Sequence, residues 1–149
     1  MKRWVVAGLG LVLLAGGAVA QGGGQQVVTE RREGLKAMAA HMEAMGAIAR
    51  AGGDPRPAVA RINEMEAFFG GLTQRFPEGT AMGAPGIDSR ALPAIWQNRA
   101  DFEGKPAPLL ARLAALKEVA AAGNASGFGP ALQATGAACG DCHRPYRSR

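Results

Sequence analysis

The sequence is poor in the residues that build β-sheets, and it has few aromatic side chains. Its 149 residues include five Phe, two Trp and one Tyr, and alanine is far more frequent than the β-branched residues. This composition favours helices over sheets. There is no block of Lys and Arg with interleaved aromatics, which excludes a nucleic-acid-binding segment of that kind. The apolar stretch at residues 4–14 is shorter than the roughly 20 residues that a membrane-spanning helix needs.

Cysteine is also scarce, and both cysteines lie in the motif Cys139-Gly-Asp-Cys142-His143. C-x-x-C-H is the attachment signature of c-type haem, in which two thiols add to the porphyrin vinyl groups and the adjacent imidazole meets the iron. The motif therefore predicts one covalent haem c, with His143 as the proximal ligand. A redox-active or plain disulfide and a zinc site remain alternatives. A redox-active pair is usually found beside a βαβ pattern. A zinc site needs about four ligands, whereas the chain has two Cys and two His.

The first 20 residues have the pattern of a secretory signal peptide. Lys2 and Arg3 precede the apolar stretch, and Ala18-Val19-Ala20 forms an A-x-A cleavage site. We predict cleavage after Ala20, no membrane association afterwards, and a single domain over residues 21–149. Because c-type haem is attached outside the cytoplasm, we predict a periplasmic location. Cleavage lowers the count of Lys and Arg from 17 to 15, against 12 acidic residues, so the exported domain carries a formal charge of +3.

Apolar residues recur at steps of three and four, the spacing of one buried helical face. We predict a first helix that follows a flexible start at Gly22 and ends at Gly52-Gly53. A second helix is predicted to start at Asp54-Pro55, with the carboxylate as its cap, and to reach Phe76-Pro77. Residues 77–93 are predicted as a long loop, since they are rich in Gly and Pro. The apolar positions of the first helix are Leu35, Met38, Met42, Met45 and Ile48.

The third helical segment contains Pro106 and Pro108, and an interior proline breaks or kinks a helix. The sequence therefore predicts either one bent helix or two shorter ones. The last helix is predicted from about Gly129, with the haem motif on its inward stripe. Four amphipathic helices predict an all-α, antiparallel four-helix bundle with the cofactor inside. The inward stripe of the last helix contains Leu132, Thr135, Cys139, Cys142 and Tyr146.

Over essentially all of residues 21–149 the chain resembles the cytochrome c′ family. The resemblance rests on an arginine-initiated first helix with Leu35 one turn in, and on Ile95-Trp96 followed six positions later by Phe102. It rests above all on the terminal pattern Cys139-x-x-Cys142-His143-x-x-Tyr146-Arg147, because ordinary cytochromes c carry C-x-x-C-H near the N-terminus. The resemblance implies that Trp96, Phe102 and Tyr146 contact the haem, and that two copies pair through their first two helices.

The resemblance also implies that the first helix supplies the residue facing the open side of the iron. Low-spin members with a stretch similar to Gly46-Ala47-Ile48-Ala49 have a methionine there, and the corresponding position in this chain is Leu35. Leucine has no lone pair to donate, so we expect five-coordinate, high-spin iron under an apolar pocket that admits NO and CO. Met38 or His41 as a sixth ligand remains an alternative, although methionine in a helix stripe is more often core.

Three arginines have roles that the resemblance implies. Arg31 matches the family arginine that contacts a haem propionate, and Arg32 is its neighbour. Arg147 matches the basic residue that flanks the proximal imidazole. The alternatives are an exposed basic pair for the first two and a helix-terminal arginine for the third. Arg144-Pro145 departs from the family pattern and is expected to shorten the last helix.

These expectations favour a haem protein that binds diatomic gases, transfers electrons, or does both, and that is not an enzyme. The runner-up is a low-spin, methionine-ligated carrier of the same fold that serves redox partner proteins. A peroxidase or NO reductase would need distal acid–base groups, for which His41 is the one candidate.

Overall fold

The computed structural model describes residues 17–149. Two long helices, α1 (Gly17–Ala51) and α2 (Ala58–Gly70), are followed by the short helices α3 (Ala94–Gln97) and α4 (Arg99–Gly104), and then by α5 (Pro106–Ala121) and α6 (Ala125–Tyr146). Within this part of the chain there is no strand, and one isolated antiparallel bridge joins Ala91 to Arg147. None of the described helices is long and apolar enough to cross a bilayer.

The four long helices form the predicted bundle. Helix α1 packs against α2 and α6, and α5 packs against the same two helices. Short connections make α1–α2 and α5–α6 antiparallel neighbours. The predicted apolar stripes meet in the centre, so the all-α fold class is confirmed. The core residues that are fully enclosed include Met45, Ile62, Met65, Leu113, Leu116 and Phe128.

The first helix ends where predicted but begins earlier. Gly52 follows α1 with φ = 61°, a left-handed conformation that glycine adopts without strain. The prediction of a flexible start at Gly22 was wrong, because α1 is already helical there. Contacts with the long loop account for this order: a Cβ at Gly24 would lie 3.3 Å from Ile87 Cδ1, and Gln25 Oε1 accepts a hydrogen bond from Asp88 N at 2.9 Å. The predicted signal peptide falls largely outside the described residues, and cleavage after Ala20 stays a prediction.

Helix α2 is shorter than predicted at both ends. Asp54 Oδ1 accepts from Arg56 N at 3.0 Å and forms a local turn, so α2 begins only at Ala58, and the predicted cap was wrong. At the other end α2 stops at Gly70, and a single 3₁₀ turn, Thr73–Arg75, leads to Phe76. The consecutive glycines 70 and 71 explain the early end, since glycine weakens a helix.

Capping and proline placement set the remaining boundaries. Pro106 and Pro108 are the first and third residues of α5, where a missing N–H leaves no helical hydrogen bond unmade. The third segment is divided into three helices instead of the predicted one or two, because α5 starts at Pro106 and Asn98, with φ = −124° and ψ = 49°, separates α3 from α4. Helix α6 starts four residues before Gly129, because the Asn124 side chain accepts from Gly127 N at 3.0 Å. It reaches Tyr146, so Pro145 does not shorten it, contrary to expectation.

The loop of residues 77–93 is tied to the segment that follows α6. Leu92 N donates to Tyr146 O at 3.0 Å, and Ser148 N donates to Arg90 O at 2.9 Å. These two bonds flank the Ala91–Arg147 bridge. The loop is thereby held against the end of the bundle that carries the C-x-x-C-H motif.

Candidate haem site

The motif residues share one face of α6. Three residues follow Cys139 by three, four and seven positions: Cys142, His143 and Tyr146. This spacing brings the four side chains to the same side of a helix. Both cysteines are half-buried and pack against the hydrophobic core. His143 is exposed and Tyr146 is buried. The predicted inward stripe of α6 is therefore present, with the histidine at its rim.

The chemistry of the two thiols differs from that of a redox-active pair. Burial raises the pKa of the Cys139 thiol, and burial likewise raises the pKa of Cys142, which the Lys105 charge partly offsets. Redox-active pairs of this spacing have a lowered thiol pKa instead. Cys139 and Cys142 are not joined in a disulfide. Among residues 17–149, no group of three or more His, Cys, Asp and Glu residues could hold a metal ion.

His143 is set up to offer a neutral ring nitrogen. Although the residue is partly exposed, partial desolvation of its ring lowers its pKa, and the positive charge of Arg147 lowers it further. A neutral imidazole has the lone pair that a metal ligand needs. Arg147 leaves the helix in an extended conformation, with φ = −128°, while its N–H still donates to His143 O at 3.0 Å. The Arg147 backbone is thus held one turn after His143.

Helices α1 and α6 keep one register along their contact. A Cβ added at Gly129 would lie 3.9 Å from Ala49 Cβ, and one added at Gly136 would lie 3.8 Å from Met42 Cε. The second contact is seven residues from the first on each helix, in opposite chain directions, as expected for antiparallel helices. Continued by seven more residues along both helices, the same register would bring Leu35 level with His143. Leu35 is half-buried and packs against the same core as the two cysteines.

Met38 and His41, the two alternative iron ligands of α1, have surroundings that differ from those of Leu35. Met38 is 8% exposed and belongs to the hydrophobic core, and the register aligns it with Gly140, about one turn from the level of His143. His41 is turned towards α2, where its Nε2 lies 2.9 Å from Glu64 Oε2 and its Nδ1 lies 3.2 Å from Arg61 Nη1. The structure therefore does not bring His41 together with the motif.

Arg31 is a buried cation without an acidic partner in the described part of the chain. It is 3% exposed, and burial lowers its pKa to about 10. Its guanidinium donates to Arg75 O at 3.0 Å, to Ser89 Oγ at 3.0 Å and to Thr80 Oγ1 at 3.4 Å, all of them neutral oxygens. Arg32, by contrast, is exposed and pairs with Asp88. The structure thus separates the two neighbours.

An aromatic row connects Arg31 with α6. The Arg31 guanidinium lies 4.1 Å from the centre of the Phe76 ring. Phe76 meets Phe102 edge-on at 4.9 Å, and Phe102 meets Tyr146 edge-on at 5.2 Å. The Tyr146 hydroxyl donates to Asp101, which raises the pKa of Tyr146 to about 12 and lowers that of Asp101. Three of the predicted haem contacts, Arg31, Phe102 and Tyr146, are therefore joined in one row.

Trp96 lies beside this row. It borders a groove together with Phe76, Glu78 and Arg99. Its indole Nε1 is buried and makes no hydrogen bond to the described residues. The sequence did not single out Phe76 as a site residue, nor Thr80 or Ser89. Thr80 and Ser89 lie in a segment with no helical periodicity, and Phe76 ends an apolar stripe that reads as core, so only their contacts with Arg31 reveal them.

The residues present fit a haem. Two half-buried thiols and a neutral imidazole lie on one helical face, which suits covalent attachment and iron ligation. A buried arginine that lacks an anion suits a propionate, since a buried charge is costly unless it is paired. Both observations concern the same end of the bundle.

Comparison with known proteins decides the family. A family model described as Cytochrome C' matches residues 26–147. The chain belongs to the cytochrome c′ family. Members of this family bind haem c covalently through two cysteines, so haem c is the cofactor of this chain, and Cys139 and Cys142 carry it.

Relatives and solved structures agree with this assignment. The cytochrome c′ of Pararhodospirillum photometricum is 33% identical over 122 residues, covering 80% of this chain and 94% of the relative. The cytochrome c-556 of Agrobacterium tumefaciens strain B2A is 34% identical over 132 residues, covering 79% of this chain and 94% of the relative. The crystal structure of cytochrome c′ from Thermochromatium tepidum superposes with a TM-score of 0.76 at 27% identity, covering 85% of this chain and 97% of the other.

Proposed function

We propose that this protein is a periplasmic haem c protein that binds small diatomic gases, NO and CO. His143 ligates the iron on one side, and the other side, beneath Leu35, has no protein ligand. The iron is then five-coordinate and high-spin. The single observation that supports the proposal is the register of α1 and α6 at their Gly129–Ala49 and Gly136–Met42 contacts, which would bring Leu35 level with His143 if it continues along both helices.

The chain's own residues have separate tasks in this proposal. The haem, when bound, supplies an iron with a vacant coordination position. Cys139 and Cys142 fix the porphyrin to α6, and the neutral His143 imidazole ligates the iron. Leu35 presents an apolar surface, which disfavours water and charged anions but admits neutral diatomic molecules. The positive charge of Arg147 helps to keep the His143 imidazole neutral, because it lowers the pKa of this ring.

Other features support a binding role rather than catalysis. A peroxidase or NO reductase needs a proton donor or acceptor on the ligand side of the iron. The only candidate on α1, His41, has contacts with Glu64 and Arg61 on α2. Among the related solved structures, a leucine-to-alanine variant of cytochrome c prime from Alcaligenes xylosoxidans is a nitric oxide complex; at 23% identity that likeness concerns the fold alone.

A pair of reciprocal substitutions tests the open side of the iron. In Leu35→Met a thioether sulfur is introduced at the level of His143, so the ferric spectrum should change from high-spin to low-spin and CO affinity should fall at least tenfold. In the matched control Met38→Leu, absorption and EPR spectra and CO binding should match those of the unsubstituted protein. A low-spin spectrum of the unsubstituted protein that becomes high-spin in Met38→Leu would overturn the proposal.

That contrary result would support the second candidate function, a methionine-ligated electron carrier. The observation in its favour is that Met38 is buried only one turn from Leu35 on the same stripe of α1. A low-spin iron reorganises less on electron transfer, which suits exchange with redox partner proteins. Rapid electron self-exchange together with indifference to CO would identify this function.

We also propose that two copies pair through α1 and α2. A related solved cytochrome c′, 25% identical with a TM-score of 0.77, has an unusual ligand-controlled dimer dissociation. Sedimentation of the haem-loaded protein with and without CO measures the mass in each state, and a monomer under both conditions would exclude this pairing.

A further inference from the structure

Gly34 lies in the middle of α1, one residue before Leu35. Glycine weakens a helix relative to alanine, so a glycine in a helix interior calls for a packing reason. The structure supplies one, because a Cβ added at Gly34 would lie 2.8 Å from Phe68 Cζ and closer still to Phe68 Cε2. Real Cβ atoms essentially never come so close to another heavy atom. The Phe68 ring, on α2, therefore occupies the space that a side chain at position 34 would need.

The Phe68 ring is also restrained on its other sides. It packs against the hydrophobic core and meets Phe69 edge-on, with the ring centres 5.4 Å apart. The Arg75 guanidinium lies 5.0 Å from the centre of the Phe68 ring, within the range of a cation–π attraction. An added methyl group at position 34 would thus push against α1 as well as against the ring, because a packed site has little room to yield.

The same turn of α1 is held a second time by the segment that follows α2. Arg31 Nη1 donates to Arg75 O at 3.0 Å. Gly34 and Leu35 follow Arg31 by three and four positions, so all three residues lie on one side of α1. The backbone of Arg75 and the ring of Phe68 thereby fix one turn of this helix, and Leu35 belongs to that turn.

We propose that Phe68 is a positioning residue of the gas-binding site, and that its ring, seated against Gly34, sets the place of Leu35 relative to the iron. This inference rests on the proposed function, in which Leu35 covers the open side of the iron. Phe68 acts through α1. A larger residue at position 34 moves this turn away from α2 and carries Leu35 with it, whereas a smaller residue at position 68 makes room for a methyl group at position 34.

Carbon monoxide bound to the ferrous, haem-loaded protein reports the position of Leu35. The C–O stretching band responds to the side chains beside the bound molecule, and the association rate responds to the room above the iron. Gly34→Ala should shift the band and raise the association rate by about tenfold, which is about 1.4 kcal/mol in the barrier, because Leu35 is carried away from the iron. An unchanged or lower rate overturns the inference.

A compensating substitution separates this role from a general disturbance of the helix. Leucine lacks the Cε and Cζ atoms that meet Gly34, so the double variant Gly34→Ala with Phe68→Leu should recover the band and the rate of the unsubstituted protein. Such recovery is the coupling expected of two residues in contact. A double variant that keeps the band and rate of Gly34→Ala overturns the inference.

Gly46→Ala is the matched control, since it makes the same change on the same helix. A Cβ added at Gly46 meets only the Arg50 side chain, with Nη1 at 3.1 Å, and the band and rate should stay unchanged. Equal changes in Gly34→Ala and Gly46→Ala overturn the role of Phe68 and leave the proposed function intact. An unsubstituted protein that is low-spin and indifferent to CO overturns the proposed function, and this inference with it. If Gly34→Ala does not fold, an unshifted band in Phe68→Ala, which frees the same turn of α1, overturns the inference.

Discussion

The middle of the bundle and its haem end differ in whether their polar groups have partners. In the middle, Thr135 is buried and donates to Ala131 O at 3.0 Å, while Lys117 pairs with Glu66 between α5 and α2. At the haem end, the Arg31 cation has no anion, and the Trp96 Nε1–H has no acceptor. These polar groups in the middle of the bundle have partners within the chain, whereas the haem end contains donors that the described chain leaves unmatched.

The difference indicates where a group from outside the chain belongs. Buried polar groups in native proteins almost always have partners, so unmatched ones call for a specific explanation. Here the unmatched groups are all donors, and they lie at the end that carries the attachment motif. Under the proposed function, the two carboxylates of the haem would supply acceptors for this region.

The largest effect is expected from removing the thiols. The double variant Cys139→Ala with Cys142→Ala should carry no covalent haem, because the chain has no other cysteine. Denaturing gels stained for haem and intact mass measure this loss. Each single variant should keep one thioether, with an unsaturated vinyl group that shifts the absorption of the pyridine haemochrome to longer wavelength. Covalent haem in the double variant would contradict the assignment of the attachment site.

Two matched substitutions of a cation by methionine compare the regions directly. Arg31→Met in the haem-loaded protein should lower the free energy of unfolding by about 3–5 kcal/mol, since it leaves a buried carboxylate unpaired. Lys117→Met, in the middle of the bundle, should cost about 1 kcal/mol or less, because that ion pair is partly exposed. Denaturant unfolding measures both. Equal costs would remove the distinction between the two regions.

A substitution in the aromatic row should lower the free energy of unfolding by a similar amount, because it creates a cavity. Phe102 is 2% exposed between Phe76 and Tyr146, so Phe102→Ala creates a cavity and should cost about 3–5 kcal/mol. Leu116→Ala in the middle of the bundle is the control for a cavity alone, with an expected cost of about 2–5 kcal/mol. Only Phe102→Ala should also change the haem spectrum. An unchanged spectrum would separate the row from the cofactor.

A smaller effect, dependent on pH, is expected from Tyr146→Phe. The hydrogen bond to Asp101 raises the pKa of Tyr146 to about 12, from 10.0, and lowers that of Asp101 from 3.8. The stabilisation from Tyr146 is fully present below pH 10 and is lost as the pH rises towards 12. The stabilisation from Asp101 is present above pH 3.8 and is lost as the pH falls further. The stability difference between the two proteins should therefore be constant between these limits and shrink outside them.

The smallest effect is expected at His41. His41→Gln should leave the ferric spectrum and CO affinity unchanged, because its ring contacts Glu64 and Arg61 on α2. Loss of this partly exposed pair should cost about 0.2–1 kcal/mol. A change of iron spin state in this variant would return His41 to the list of iron ligands.

The sequence predicted the parts of this molecule that repeat or that follow a known spacing. Helical periodicity identified the buried stripes, and C-x-x-C-H identified the haem and its helix. Local hydrogen bonds moved several boundaries: Asp54 forms a turn of its own, and Asn124 starts α6 four residues before the predicted position. Contacts between residues far apart in the sequence were not predicted. Arg31 and Ser89 are 58 residues apart, and no periodicity relates them.

The bridge between Ala91 and Arg147 also limits how α6 can turn. A helix held only by side-chain packing can rotate slightly about its own axis, but two backbone hydrogen bonds to a loop oppose that rotation at the end that bears His143. The backbone position of His143 is then restrained by the loop. Under the proposed function, the size of the Leu35 side chain on α1 would then set which small molecules reach the iron.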